Sequence, residues 1–164
     1  MKVSRRATTC AFLSLAVACL APTPAPAATP TGCAVTLPAS APRSDIGEKP
    51  LPADRFSWFG NDDFAVDLPN DGVYRVPRAN TNLEAKVAWW RYASGNIDIV
   101  AERADQPIER VSARSSEGYG STGFVPSAVM FSSDGCWRVT ASLAGRQLVF
   151  VMFVRRAAEN ERAP

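Results

Sequence analysis

The sequence predicts an all-β domain, an antiparallel β-sandwich of about seven to eight short strands. Three observations predict it. Apolar and polar residues alternate at period two over much of residues 56–154, and no stretch there sustains a helical period. Turn sequences such as Pro69-Asn70-Asp71-Gly72, Ser94-Gly95-Asn96 and Ala144-Gly145-Arg146 cut the chain into short runs. Finally, Asp134-Gly135-Cys136-Trp137-Arg138-Val139-Thr140 reads as the entry to a central strand directly after a turn. No internal repeat and no second core are visible, so one domain suffices.

Taken in order, Phe56-Ser57-Trp58-Phe59 and Phe64-Ala65-Val66-Asp67-Leu68 alternate, and Val73-Tyr74-Arg75-Val76 follows the first turn. A polar loop at residues 80–82 leads to the aromatic strand Lys86-Val87-Ala88-Trp89-Trp90-Arg91. Its adjacent tryptophans must leave on opposite faces. Ile97-Asp98-Ile99-Val100-Ala101-Glu102 is the next strand, and residues 105–122 read as one long loop carrying Gly118-Tyr119-Gly120. Residues 124–131 form a strand interrupted at Pro126. The final hairpin joins 136–143 to 147–154, whose second strand is apolar on both faces and is expected to be covered on both. The domain is placed at 56–154, followed by a charged, Ala-rich tail at 155–164 that is expected to fray.

Residues 1–27 have the layout of an export signal. Lys2, Arg5 and Arg6 form a positive start, residues 10–21 an apolar stretch too short to span a membrane, and Ala25-Pro26-Ala27 a small-residue cleavage pattern. Leu15-Ala16-Val17-Ala18-Cys19 resembles a lipoprotein box offset by one residue, which makes lipidation at Cys19 the alternative. Residues 28–55 form a Pro-rich arm, with Val35 and Leu37 expected in a short edge strand. Without Lys2, Arg5 and Arg6, the 18 basic residues fall to 15 against 16 acidic ones. The basic balance therefore belongs to the targeting segment and gives no reason to expect nucleic acid as a partner.

Of the four cysteines, Cys10 and Cys19 lie in the signal, leaving Cys33 and Cys136. An even pair in an exported chain favours a disulfide over two buried thiols. Such a bridge would close a long loop and stabilise the fold by up to ~4–5 kcal/mol in the chain-entropy picture.

The Gly135-Cys136-Trp137-Arg138-Val139 segment resembles the penultimate strand of immunoglobulin-like and fibronectin-like domains. A wider set is similar to a family of uncharacterised exported bacterial proteins and lipoproteins. It comprises Trp89-Trp90-Arg91, Gly118-Tyr119-Gly120-Ser121-Thr122-Gly123-Phe124, Phe131, Gly135-Cys136-Trp137-Arg138-Val139-Thr140 and Leu148-Val149-Phe150-Val151. Gly32-Cys33-Ala34-Val35-Thr36-Leu37-Pro38 is similar to the start of that family's mature domain. The resemblance spans about residues 32 to 154 and departs from the pattern at Phe131-Ser132-Ser133-Asp134. It implies a small extracytoplasmic immunoglobulin-like β-sandwich and no particular activity.

The chain has no histidine, which removes Ser-His-Asp and Cys-His catalysis and imidazole metal sites. Two bridged cysteines leave little for zinc or thiol chemistry. Carboxylate chemistry stays open at Asn61-Asp62-Asp63, Asp67 and Asn70-Asp71. These residues read either as a calcium site or acid pair, or as ordinary turn residues, and their spacing fits no calcium-loop signature. Trp58, Phe59, Trp89, Trp90 and Tyr119 are candidates for an aromatic platform or for the core. Arg91 beside them has the composition of an interaction hot spot.

The expectation is a monomeric, periplasmic or secreted protein, membrane-associated only if lipidated at Cys19. It is expected to be a non-enzymatic binding or envelope-structural module without cofactor, its partner an envelope protein or glycan. Trp90, Arg91 and Tyr119 are the candidate binding residues. A carbohydrate-binding module using surface tryptophans is the alternative, and a carboxylate-dependent hydrolase the third.

Overall fold

The structure is a computed structural model that describes residues 32–39, 56–159 and 161. The expected export signal, Cys19 and residues 40–55 of the arm lie outside the described residues. Among the described residues there are nine strands and no helix. They are β1 (Trp58–Gly60), β2 (Phe64–Asp67), β3 (Val73–Val76), β4 (Leu83–Arg91), β5 (Asp98–Arg103), β6 (Arg110–Arg114), β7 (Gly123–Phe131), β8 (Gly135–Leu143) and β9 (Arg146–Arg156). One sheet has the order β1-β2-β4-β7 and the other β3-β9-β8-β5-β6. Every pairing is antiparallel except β3 with β9, which is parallel.

The inner faces of both sheets feed one apolar core, as two stacked sheets require. The four-stranded sheet contributes Phe64, Val87, Trp89, Val125 and Phe131, and the five-stranded sheet Ile99, Trp137, Val139, Phe150 and Met152. Trp89 joins the two layers, its ring lying 6.3 Å from Phe64 in its own sheet and 6.1 Å from Phe150 in the other. Its buried N–H donates to Ser127 Oγ at 2.8 Å, so the indole carries no unpaired polar atom into the core. Trp137 is likewise buried, donating to the Ser133 carbonyl at 3.2 Å. Along β8, Trp137, Val139, Ala141 and Leu143 all face the core, as period-two alternation demands.

The stretch read as a loop at 105–122 contains β6, which pairs with β5 from Asp98↔Arg114 to Glu102↔Arg110. Its inward residues are only Val111 and Ala113, set between exposed Arg110, Ser112 and Arg114. That apolar signal is too weak to stand out in the sequence. At the other end β9 continues two residues beyond the expected boundary at Val154. Arg155 and Arg156 pair with Arg75 and Val76 of β3, and Ala157 is buried with its N–H on the Val76 carbonyl. The tail expected to fray from 155 is therefore bound through its first residues. Arg155 is doubly bonded to Glu161 at 2.6 and 2.7 Å, and Arg75 also reaches Glu161.

Residues 32–39 do not form the expected edge strand at Val35 and Leu37. β3 occupies the β9 edge from Phe153 onward, and the arm meets that edge at a single residue before it. Thr36 makes the contact: its N–H donates to the Val151 carbonyl at 2.8 Å and its Oγ1 accepts from the Val151 N–H at 3.0 Å. Cys33 is disulfide-bonded to Cys136, their Cα atoms 5.7 Å apart. Val35 sits against Gly72, where a Cβ would come within 2.5 Å of the valine side chain and where φ is +68°. The outer side of β9 is thus only partly covered, with Val149 exposed.

Replacing both cysteines by serine (C33S/C136S) is expected to cost about 2–5 kcal/mol, read as a lower urea midpoint with an unchanged native circular-dichroism spectrum. A second expectation concerns Glu161. Its carboxyl is held down at about 2 by the hydrogen bond from Arg155, against an ordinary 4.5. A depressed acid stabilises the fold above its unfolded value and loses that contribution as pH falls. The stability difference between wild type and E161Q should therefore be full above pH 4.5 and vanish as pH drops through about 2, measured by denaturant unfolding at each pH.

Candidate functional site

On β4, Trp89 enters the core, so Trp90 must leave on the outer face of the four-stranded sheet. There it meets Trp58 and Ala65 in a small second cluster, with Phe56 and Tyr92 packed against it. The Trp58 and Trp90 rings are 6.5 Å apart and edge-on, and Phe56 lies 5.0 Å from Trp58 and 6.3 Å from Phe124. Phe124 stands directly opposite Trp90 in the β4–β7 register. Tyr119 lies 6.1 Å from Phe124, edge to face.

These rings form a continuous aromatic layer whose lower members are covered and whose upper members meet solvent. Trp90 is 7 % exposed, against 38 % for Phe124 and 47 % for Tyr119. The outward row of β7 continues the apolar character through Pro126 and Ala128 to exposed Met130. Lys86 and Glu84 of β4 stand opposite Ala128 and Met130 and give this half a charged border.

Tyr119 is presented by the turn between β6 and β7, where Gly118 and Gly120 both adopt positive φ, +84° and +73°. Only glycine takes that backbone at no cost, and the two together aim the intervening side chain outward. The turn is fastened from beneath by Arg91, itself only 2 % exposed. Arg91 Nη2 donates to the carbonyls of Gly120 (2.9 Å) and Tyr119 (3.3 Å), and Nη1 to that of Gly95 (2.6 Å). Burial pulls the Arg91 guanidinium below its ordinary value.

The three expected binding residues therefore come together, with different jobs. Tyr119 is displayed, Trp90 lies buried beside Phe124 on the neighbouring strand, and Arg91 holds the turn from inside. Phe124, Phe56 and Met130 were missed. The signal for Phe124 and Met130 lay in Phe124-Val125-Pro126-Ser127-Ala128-Val129-Met130, where the residues of the outer face are all apolar. All four tryptophans are buried, so none of them offers an open stacking face.

The acidic residues separate into unrelated tasks. Asn61 Oδ1 accepts from the Asp63 and Phe64 N–H groups, closing the β1–β2 turn. Asp62 and Asp63 line an open polar cleft of about 620 Å³ with Gly145, Arg146 and Gln147. Asp67 accepts from the Ser57 N–H at 2.7 Å, and burial pushes its carboxyl up. Asp71 pairs with Arg75 at 2.6 Å, which holds its carboxyl down. Among the described residues no group of three or more acidic or cysteine side chains is placed to hold a metal ion.

No protein-family model matches the chain, and neither the curated proteins nor the solved structures contain a significant match.

The layered arrangement separates stability from display. W90A is expected to lower stability by about 3 kcal/mol through loss of buried ring area. Y119A should change it by about 0.5 kcal/mol or less. Urea unfolding of the two variants, followed by circular dichroism, checks the contrast.

Proposed function

We propose that the chain is an exported, non-enzymatic binding module with an immunoglobulin-like β-sandwich, and that the aromatic outer face of its four-stranded sheet contacts a protein of the cell envelope. The observation that carries this reading is the exposed Tyr119–Phe124 pair, joined through Phe56 to the buried Trp58–Trp90 cluster. Exposed aromatic and methionine side chains on a rigid base are what interface hot spots are made of. Contiguous apolar surface on a water-soluble domain marks an interaction site.

The immunoglobulin-like assignment is supported by strand order. The runs β2-β4-β7 and β5-β8-β9 follow the A-B-E and C-F-G orders of that sandwich. Export is supported by the N-terminal pattern of residues 1–27 and by the Cys33–Cys136 disulfide, a bond that persists in oxidising compartments. The lack of histidine, which removes the commonest general base near neutral pH, supports the non-enzymatic reading.

A glycan ligand is the second reading. With every tryptophan buried, it would have to stack on Tyr119 and Phe124 alone.

A photo-cross-linking residue placed at Met130, on the rim of the patch, tests the proposal in whole envelopes. The expected result is one dominant cross-linked protein whose yield falls at least tenfold when Y119A and F124A are added. Cross-linking that is diffuse, or indifferent to those two changes, would overturn it. Saturating quenching of intrinsic fluorescence by a glycan, lost in the same double variant, would move the assignment to the second reading.

A further inference from the structure

Arg91 is the last residue of β4 and nearly inaccessible, yet among the described residues no carboxylate lies within ion-pair distance of it. Three partly covered arginines are paired with carboxylates, while a fourth, Arg156, donates to the Asn80 and Thr81 carbonyls and is less deeply covered than Arg91. Arg75 pairs with Asp71, Arg103 with Asp105 and Arg155 with Glu161, all at 2.6–2.7 Å. A buried charge is ordinarily paired, because leaving it alone forfeits hydration without return. Arg91 has only backbone carbonyls, and its Nε–H, also buried, has no hydrogen-bond partner.

The pattern of use across the guanidinium is uneven. Nη1 is firmly anchored on the Gly95 carbonyl at 2.6 Å. The opposite edge, formed by Nε and Nη2, is the fork that takes a carboxylate through two parallel bonds. Half of that fork is empty. The other half is shared between two successive carbonyls of a turn whose residues 116–122 are all exposed. Nothing lies within 4 Å of a Cβ built on Gly118 or Gly120, so the turn has open space around it. Among the described residues the turn and the 93–96 segment share one backbone hydrogen bond, from the Gly95 N–H to the Ser121 carbonyl at 3.3 Å.

We propose that Arg91 is a carboxylate-binding residue, reached when the Tyr119 and Gly120 carbonyls give up Nη2 and the turn swings outward. The incoming carboxylate takes Nε and Nη2 while Nη1 stays on Gly95. Tyr119 leaves its contact with Phe124 as the turn moves, and one ligand can then reach the Arg91 fork and the Phe124 ring together. This rests on the binding reading above and names its chemistry: the partner presents a carboxylate next to an aromatic or large apolar group. The carboxylate is either an acidic side chain or a free chain terminus.

The test is a nuclear magnetic resonance titration of the full mature chain, reading the Arg91 Nε–Hε signal and the backbone amides of residues 118–122. Three probes are used: N-acetyl-phenylalanine with its free terminal carboxylate, N-acetyl-aspartyl-phenylalaninamide with a side-chain carboxylate, and N-acetyl-phenylalaninamide, which has neither. The expected result is a saturating shift of the Nε–Hε signal and of the turn amides with at least one carboxylate probe. The amide control should give none, and R91K should lose the saturating response. Whichever carboxylate probe responds identifies the source. If Nε–Hε is silent to both carboxylates, or follows the amide control equally, the inference falls. The wild-type titration decides this even if R91K does not fold. Cross-linking from Met130 that depends on Tyr119 and Phe124, combined with a silent Arg91, would leave the binding surface standing and remove only this residue's role.

Discussion

Successive side chains of an extended strand leave it on opposite sides, and at Trp89-Trp90 that constraint puts one indole into each of two apolar regions. Trp89 fixes the spacing of the two sheets through Phe64 and Phe150. Trp90 packs with Trp58 on the outer face, next to Phe124 of the neighbouring strand. Core and surface are therefore set by a single register. A one-residue slip of β4 would exchange them and also carry Arg91 from beneath the turn to the outside. Much of the molecule answers to this one strand, since it is central in its sheet and pairs with β7 over its whole length.

The edge of β9 shows how the chain divides limited hydrogen-bonding capacity. β3 takes the later half in parallel, Thr36 the position before it, and the disulfide secures the arm next to both. Gly72 permits the fit, because any side chain there would collide with Val35. The arm is fastened by one bond of each kind rather than by a ladder. Its attachment thus depends on the covalent link more than a true edge strand would.

Most of the strands were legible because each buries one face against the core, which writes period-two alternation into residues such as Trp137, Val139 and Ala141. The Cys33–Cys136 pair was legible by elimination. β6 was not, since a peripheral strand with two small inward residues leaves no hydrophobic trace. The parallel β3–β9 pairing was equally hidden, because pairing partners distant in sequence carry no local mark. At the candidate site, composition pointed to Trp90, Arg91 and Tyr119, and the register of β4 and β7 was needed to add Phe124 and to reverse the apparent roles of Trp90 and Arg91. Which aromatic is covered and which displayed is decided by neighbours on other strands.

The position of β9 has a temporal meaning as well. It lies between β3 and β8 in space but is the last of the described strands, so the five-stranded sheet lacks an inner member until residues 146–156 are in place. Until then β3 has no partner in that sheet and one edge of β8 is unpaired. Cys33 likewise waits for a partner 103 residues downstream. Such long-range dependence delays folding, because distant segments must meet before any contact rewards them. The sheet therefore closes only when β9 reaches both β3 and β8.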